Sequence, residues 1–156
     1  MGPVLASVTE KTITGISVRT NNKLESNPQK AVLPSFWDHF FENDLLEQIP
    51  GKIPDSPIYG VYSDYNSKKK GTYTVTAGVE AYNLDRGIGD FETIKIEAGN
   101  YLMFKGNGPM PDIVAETWQN VWNYFSKMSE FKRVFRTDFE VYSSQEQVEV
   151  YIGIVR

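Results

Sequence analysis

Two glutamates, each followed two positions later by a tyrosine, stand near the end of the chain in the stretch RTDFEVYSSQEQVEVYIGIVR. Tyr142 follows Glu140, and Tyr151 follows Glu149. Residues two apart in a strand share a face, so the pattern predicts a hairpin with both acids and both tyrosines on one face. Burying an unpaired carboxylate is unfavourable. A carboxylate among aromatic rings is suited to a cation with apolar flanks, whose charge would offset that penalty.

The elements that position these residues come from an internal repeat. SFWDHFFENDLL resembles ETWQNVWNYFSK, IYGVYSDY resembles DFEVYSSQ, and TVTAGVEA resembles EVYIGIVR. The three matches occur in the same order. Trp37 precedes Gly60 by 23 positions, and Trp118 precedes Glu140 by 22. Equal order and near-equal spacing indicate two copies of one supersecondary unit.

Each copy reads as strand, strand, helix, strand, strand. The first helix is predicted to begin at Ser35, with Asp38 completing a capping box, and Asp112 is predicted to cap the second helix. The sequence therefore predicts an α+β fold with about eight antiparallel strands and two main helices around a central cleft. We expect a single domain over 1–156, with repeat one at about 4–83 and repeat two at about 90–155. The connector NLDRGIGD lies between the repeats.

The repeat also selects candidate site residues. Glu140 aligns with Gly60, so one copy carries a charge where the other has no side chain, and a strand glycine allows close approach. Tyr62 shares the parity of the acidic face. Trp37 and Trp118 align with each other on apolar helix faces, and either a cleft wall or the core would accommodate them.

Two further residues are interpreted separately. Trp122 is assigned to the core of the second helix. Glu149 fits a ligand contact and an exposed ion pair equally well.

Composition narrows the function classes. The 156 residues carry a net charge of -4, which disfavours nucleic-acid binding, and contain no cysteine, which excludes disulfides and thiolate sites. His39 is the single histidine, so a multi-histidine metal site is excluded, and we predict neither a metal nor a cofactor. No secretory signal or membrane span is evident, so we expect a cytoplasmic protein. An unpaired edge strand leaves both a monomer and a homodimer open.

Several stretches together resemble the bacterial effector-binding domain family, which includes ligand domains of AraC/MerR-type multidrug regulators and the GyrI-like proteins. They are LPSFWDHF, YGVYSDY, TAGVEA, EAGNYLMFKGNGP, ETWQNVWNYF, TDFEVY and VEVYIGI, and they extend over about residues 5–155. The resemblance implies two modules around a cleft that binds lipophilic, often aromatic, cations. It implies that a glutamate at the position of Glu140 carries the charge, and it matches Glu149 to an acidic cleft position of some members.

The resemblance predicts a stand-alone ligand-binding domain without direct nucleic-acid contact, for which a separate regulator protein is one candidate partner. The predicted ligand residues are Glu140, Tyr142, Glu149, Tyr151, Tyr62, Trp37 and Trp118, and no catalytic residue is assigned. One alternative is a GyrI-like hydrolase with Glu140 as general base and Tyr142 or Tyr151 as proton donor. Another is a protein-interaction module of the gyrase-inhibitor type, whose acidic face would meet a basic protein surface.

Overall fold

The computed structural model of the chain describes residues 2–66, 71–82, 91–127 and 130–155. Within these ranges the chain forms one sheet of eight antiparallel strands, with four helices, which confirms the predicted α+β class. The strands are β1 (Val4–Val8), β2 (Lys11–Thr20), β3 (Ile58–Ser63), β4 (Tyr73–Glu80), β5 (Glu92–Ile96), β6 (Gly99–Asn107), β7 (Lys132–Ser144) and β8 (Gln147–Val155). The helices are α1 (Asn22–Glu25), α2 (Leu33–Glu42), α3 (Leu45–Gln48) and α4 (Asp112–Ser126).

The predicted connector at 83–90 lies outside the described residues. Among the helices just given, none has the length and apolar character needed to cross a membrane.

The two repeats exchange their first strands. The sheet order is β1-β6-β8-β7-β3-β4-β2-β5. Strand β1, which opens repeat one, pairs with β6 of repeat two, and β5, which opens repeat two, pairs with β2 of repeat one. Strands β3 and β7 pair in the middle. The exchange joins both repeats into one sheet and places its centre at the β3–β7 pair.

An approximate twofold axis crosses the sheet between β3 and β7. Glu140 follows Gly60 by 80 positions, and Tyr142 follows Tyr62 by the same number. The strand register pairs Gly60 directly with Glu140. A residue can face its own repeat counterpart only at the axis itself. Gly60, which has no side chain, therefore lies directly opposite Glu140 at the centre of the internal symmetry.

A one-residue register shift in the last hairpin separates residues that the sequence predicted to share a face. The register at the turn would place Glu140 opposite Tyr151, but the register changes just beyond Tyr142, and Glu140 pairs with Val150 instead. A slip of one residue moves every partner side chain to the other face. The prediction of one shared face is therefore wrong, because Glu149 and Tyr151 lie opposite the face of Glu140 and Tyr142.

Helices α2 and α4 cover the face of the sheet that carries Glu140. Phe40 of α2 packs on alternate residues of β4, and Val121 of α4 packs on alternate residues of β8. Both side chains are fully buried, and each such burial contributes about 1.5–3 kcal/mol. A third apolar cluster, which includes Tyr59 and Phe139, lies on the opposite face. The two helices are thus fixed on either side of the β3–β7 centre.

The N-terminus of α2 is capped by a distant acid. The helix begins at Leu33 rather than at the predicted Ser35, and its N-cap residue Val32 makes no side-chain capping bond. The Glu25 carboxylate accepts hydrogen bonds from the backbone N–H groups of Val32 and Leu33 at 3.1 and 3.2 Å. The predicted capping box of Ser35 and Asp38 is therefore wrong, because the first N–H groups are already satisfied from α1.

The second main helix also differs at its start. Asp112 is the first residue of α4 and not its cap, since Pro111 is the N-cap residue and makes no side-chain capping bond. A carboxylate in the first turn still interacts favourably with the helix dipole.

Candidate functional site

Glu140 lies at the centre of the sheet with its carboxylate closed off from solvent. Its exposed fraction is 1%, although it carries an ionisable group. A Cβ built on Gly60 would lie 2.6 Å from Glu140 Oε1 and 3.0 Å from the ring of Trp37. The missing side chain at Gly60 is therefore what gives the carboxylate and the indole ring their room.

Three aromatic side chains donate hydrogen bonds to this carboxylate. The Tyr142 hydroxyl donates to Oε1 at 2.6 Å, the Tyr62 hydroxyl donates to Oε2 at 3.0 Å, and the Trp118 indole N–H donates to Oε2 at 2.6 Å. Hydrogen bonds to a charged acceptor are shorter and stronger than neutral ones. Because Tyr62 and Tyr142 are repeat counterparts, each repeat supplies one hydroxyl to one oxygen of Glu140.

Burial dominates the ionisation of these groups. It raises the pKa of Glu140, while the hydrogen bonds from Tyr142, Trp118 and Tyr62 oppose that increase. Burial, reinforced by the negative charge of Glu140, raises the pKa of Tyr62 and of Tyr142 well above the usual value. Both tyrosines are therefore protonated donors at neutral pH. Among the described residues, neutral hydrogen-bond donors rather than a cation stabilise the Glu140 carboxylate.

Asp138, two residues earlier on β7, shows how the same strand neutralises a structural acid. It is fully buried, and Arg133 Nη2 lies 2.7 Å from its Oδ2. The backbone N–H of Gly153 donates to Oδ1 at 2.9 Å, and the Tyr65 hydroxyl donates to the same carboxylate. No ion pair in the described part of the chain involves Glu140. Of the two buried acids on this strand, only Asp138 has a cation among the described residues.

The structure brings five of the predicted ligand residues together. Trp37 and Tyr142 lie with ring centroids 5.4 Å apart, and Tyr62 and Trp118 lie 5.0 Å apart, on opposite sides of Glu140. Trp118 also contacts the acid directly, because its indole N–H donates a hydrogen bond to the Glu140 carboxylate. These five residues form the candidate site.

The other two predicted residues form a separate cluster on the opposite face. Tyr151 stacks on Phe139 with centroids 4.6 Å apart, and its hydroxyl donates to Glu149 Oε1 at 3.2 Å. Burial, with the nearby charge of Glu149, raises the pKa of Tyr151. A ligand role for Glu149 and Tyr151 stays a prediction, and they do not contribute to the site at Glu140.

Two aromatic residues that the sequence did not select flank the site. Trp122 is 44% exposed, so its assignment to the core is wrong, and Phe41 is 53% exposed. Phe41 stacks on Trp37 at 5.9 Å, and Trp122 lies 6.3 Å from Trp118. The alignment of the repeats matches Phe41 with Trp122. An aromatic residue at the same position in both repeats is the sequence pattern that could have identified these two residues.

A small cavity of about 110 Å³ lies away from Glu140, among residues that include Glu97, Tyr101, Arg136 and Thr137. Its polar atoms bond to one another: the Tyr101 hydroxyl lies 2.8 Å from Thr137 Oγ1 and donates to the Glu97 carbonyl at 2.6 Å. Across the four described ranges, no group of three or more His, Cys, Asp or Glu side chains is placed to hold a metal ion.

We expect Gly60→Ala to destabilise the fold by about 1–3 kcal/mol, because the added methyl overlaps Glu140 Oε1 and presses on Trp37. The measurement is urea unfolding of the single variant and of Gly60→Ala in a Glu140→Ala background. In that background the carboxylate is absent, so the same methyl should cost less than half as much. Equal losses in both backgrounds would show that Gly60 does not make room for the acid.

The family comparison adds to this geometry. The chain matches the family described as Cass2, integron-associated effector binding protein, over residues 5–154. It belongs to this family. A candidate transcriptional regulator of Bacillus subtilis strain 168, YobU, is 30% identical over 151 residues, which cover 92% of each chain. This confirms the resemblance to effector-binding domains, and the chain is an effector-binding protein by family.

Solved structures agree with this assignment. The integron cassette protein Cass2 from the mobile metagenome of Vibrio cholerae is 31% identical, with a TM-score of 0.86, over 99% of this chain and 96% of that one. SAV2435, solved bound to tetraphenylphosphonium, is 17% identical, with a TM-score of 0.79, over 99% of this chain and 94% of that one. At that identity the second likeness shows the shared fold alone.

Proposed function

We propose that this effector-binding protein holds a lipophilic organic cation against the carboxylate of Glu140. The observation that carries the proposal is a buried, hydrogen-bonded carboxylate without a cation among the described residues, while Asp138 on the same strand has Arg133. A ligand cation would supply the missing charge. Its apolar flanks would pack against the surrounding aromatic rings, which attract cations through their faces.

A protein of the same fold supports the ligand class. SAV2435 was solved with tetraphenylphosphonium, a cation whose charge is surrounded by apolar rings. The relative YobU is named as a candidate transcriptional regulator. For this chain we propose the binding step itself, with Tyr62, Tyr142, Trp37 and Trp118 as the rings around the cation.

Ligand entry requires an aromatic side chain to move, because Glu140 is closed off from solvent. Trp118 is held by its hydrogen bond to the carboxylate. Trp37 contacts the site through its ring, edge-on to Tyr142 and directly over Gly60. We infer that Trp37 swings aside and that the cation enters over Gly60, where no side chain blocks the approach.

The alternatives fit the geometry less well. A general base in a hydrolase needs a carboxylate lone pair directed at water. Both oxygens of Glu140 instead accept short hydrogen bonds from aromatic donors, an arrangement that stabilises a charge. A basic protein surface, as in the protein-interaction alternative, does not reach an acid with 1% exposure.

Tryptophan fluorescence tests the proposal directly, because all three tryptophans of the chain, Trp37, Trp118 and Trp122, line the site or its rim. We expect tetraphenylphosphonium to change the emission saturably at micromolar concentrations. Triphenylphosphine oxide, a neutral analogue with three of the same rings, should give no saturable change in that range. Equal responses to both compounds would show that charge does not drive binding and would overturn the proposal.

Cation affinity should fall as the pH is lowered through the raised pKa of Glu140. Burial raises the pKa of Glu140, and a bound cation favours the ionised form, so protons compete with the ligand below that raised pKa. Affinity should decrease by up to about tenfold for each pH unit through that window. The measurement is a calorimetric titration with tetraphenylphosphonium at several pH values. A pH-independent affinity would contradict the assignment of the charge to Glu140.

A further inference from the structure

Two matching rows of aromatic rings lead away from Glu140 on opposite sides of the twofold axis. One row runs through Tyr142, Trp37 and Phe41, with centroid separations of 5.4 and 5.9 Å. The other runs through Tyr62, Trp118 and Trp122, with separations of 5.0 and 6.3 Å. Each row takes its tyrosine from one repeat and its two helical residues from the other, so both repeats contribute to both rows.

The two rows are related residue by residue. Tyr142 follows Tyr62 by 80 positions, and Trp118 follows Trp37 by 81. Trp122 likewise follows Phe41 by 81. Glu140 breaks the symmetry, because it lies on the axis opposite Gly60. The site therefore has one charge at its centre and equivalent aromatic surfaces on either side.

Each row extends from the buried acid to the protein surface. The outer residues Phe41 and Trp122 are 53% and 44% exposed, although both are large aromatic side chains. Exposed apolar surface that adjoins a binding site often marks ligand contact, and each outer ring contacts a tryptophan of the site. Both outer rings therefore lie where the ends of an elongated ligand would emerge.

We propose that the site selects cations whose charge lies at the middle of the molecule, with one aromatic arm on each side. This inference rests on the proposed cation-binding function and adds the shape of the ligand. Such a cation places its charge on the axis at Glu140 and one arm along each row, with Trp37 moved off Gly60 but still between Tyr142 and Phe41. A cation with the charge at one end contacts Glu140 and a single row, and the other row remains unused.

Two isomeric cations test this preference. Dibenzyldimethylammonium carries its charge between two benzyl arms, whereas para-biphenylmethyl-trimethylammonium has the same atoms with the charge at one end. By isothermal calorimetry on the whole chain, we expect the first isomer to bind about tenfold more tightly. Equal affinities, or tighter binding of the end-charged isomer, would overturn the proposal.

Variants at the outer rings give a second readout. Phe41 and Trp122 are exposed, so replacement by alanine should leave the fold intact. Phe41→Ala and Trp122→Ala should each lower the affinity for dibenzyldimethylammonium by a similar factor, about threefold or more. Only one of the two substitutions should lower the affinity for the end-charged isomer. Tyr82→Ala, at a tyrosine that is 60% exposed and outside both rows, is the matched control and should change neither affinity.

The outcomes also separate this proposal from the function on which it rests. If both isomers bind with equal affinity and both lose affinity in Glu140→Gln, cation binding stands and the shape preference is wrong. If neither isomer binds, or if Glu140→Gln binds both as well as the wild type does, the cation-binding function is wrong and the shape preference falls with it.

Discussion

Glu140→Gln should reduce the affinity for tetraphenylphosphonium at least about a hundredfold. Two opposite unit charges about 4 Å apart attract by about 4 kcal/mol at the effective dielectric of a protein near its surface, and about 1.4 kcal/mol corresponds to a tenfold change in affinity. Glutamine keeps the size of the side chain and removes only the charge. Calorimetric titration of the wild type and the variant measures the difference directly.

Two controls sharpen this experiment. Glu149→Gln removes an acid from the opposite face and should leave the affinity unchanged, since Glu149 does not lie in the site. At neutral pH, the free energy of unfolding of Glu140→Gln should be no lower than that of the wild type. Because burial raises the pKa of Glu140, stability falls as pH rises through the window between its unfolded and folded pKa, and glutamine avoids that loss.

The amide of the variant also fits its hydrogen-bonding partners. The Trp118 N–H and the Tyr62 hydroxyl can donate to the amide oxygen, and the Tyr142 hydroxyl can turn to accept from the amide NH₂. A loss of binding that came with a large loss of stability would mean that Glu140 is a structural residue.

Arg133→Met should lower the free energy of unfolding by about 3–5 kcal/mol, because it leaves the buried charge of Asp138 without the cation that pairs with it. The guanidinium group also lies 4.3 Å from the centroid of the Phe135 ring, and that contact is lost as well. Chemical denaturation of the two proteins measures the difference. The effect is large because Asp138, unlike Glu140, is paired with a cation among the described residues.

A matched arginine provides the control. Arg136 pairs with Glu97 at 3.7 Å, and both side chains are more than half exposed, so Arg136→Met should change stability by less than about 0.5 kcal/mol. The double variant Arg133→Met/Asp138→Asn should recover at least half of the loss, since no charge is left unpaired. If Arg133→Met costs no more than Arg136→Met, the contrast between the two buried acids is wrong.

The central pair of the site, Gly60 and Glu140, could be predicted from the sequence, because the repeat alignment and antiparallel strand pairing both relate these two residues. The alignment matched Gly60 with Glu140, and an antiparallel pair on a twofold axis brings such counterparts face to face. The fold class followed from the same repeat and is confirmed. The exchange of β1 and β5 between repeats could not be predicted, since local patterns do not specify which distant strand is the partner.

The position of Glu149 shows where strand parity fails. Alternation identifies the residues that share a face within one strand, and Glu140 and Tyr142 do share theirs. The relation between two strands depends on their register, and a single-residue shift beyond Tyr142 reverses it for Val148–Ile152 of β8. Such irregularities depend on packing with neighbouring strands, which the hairpin sequence does not contain.

Trp122 shows a second limit. Apolar helical periodicity predicts a buried face, and Trp118 and Val121 on that face are indeed buried. The outer edge of the same stripe faces the rim of the site, so Trp122 is 44% exposed. Periodicity alone does not distinguish a side chain that fills the core from one that meets a ligand.

A crystal structure of the chain with tetraphenylphosphonium would show where the cation binds. We expect the phosphonium centre beside the Glu140 carboxylate, Trp37 displaced from above Gly60, and phenyl rings stacked on the tyrosines of both repeats. A cation bound elsewhere, against Glu149 and Tyr151 on the opposite face or in the small cavity at Glu97 and Arg136, with Glu140 unchanged, would contradict it.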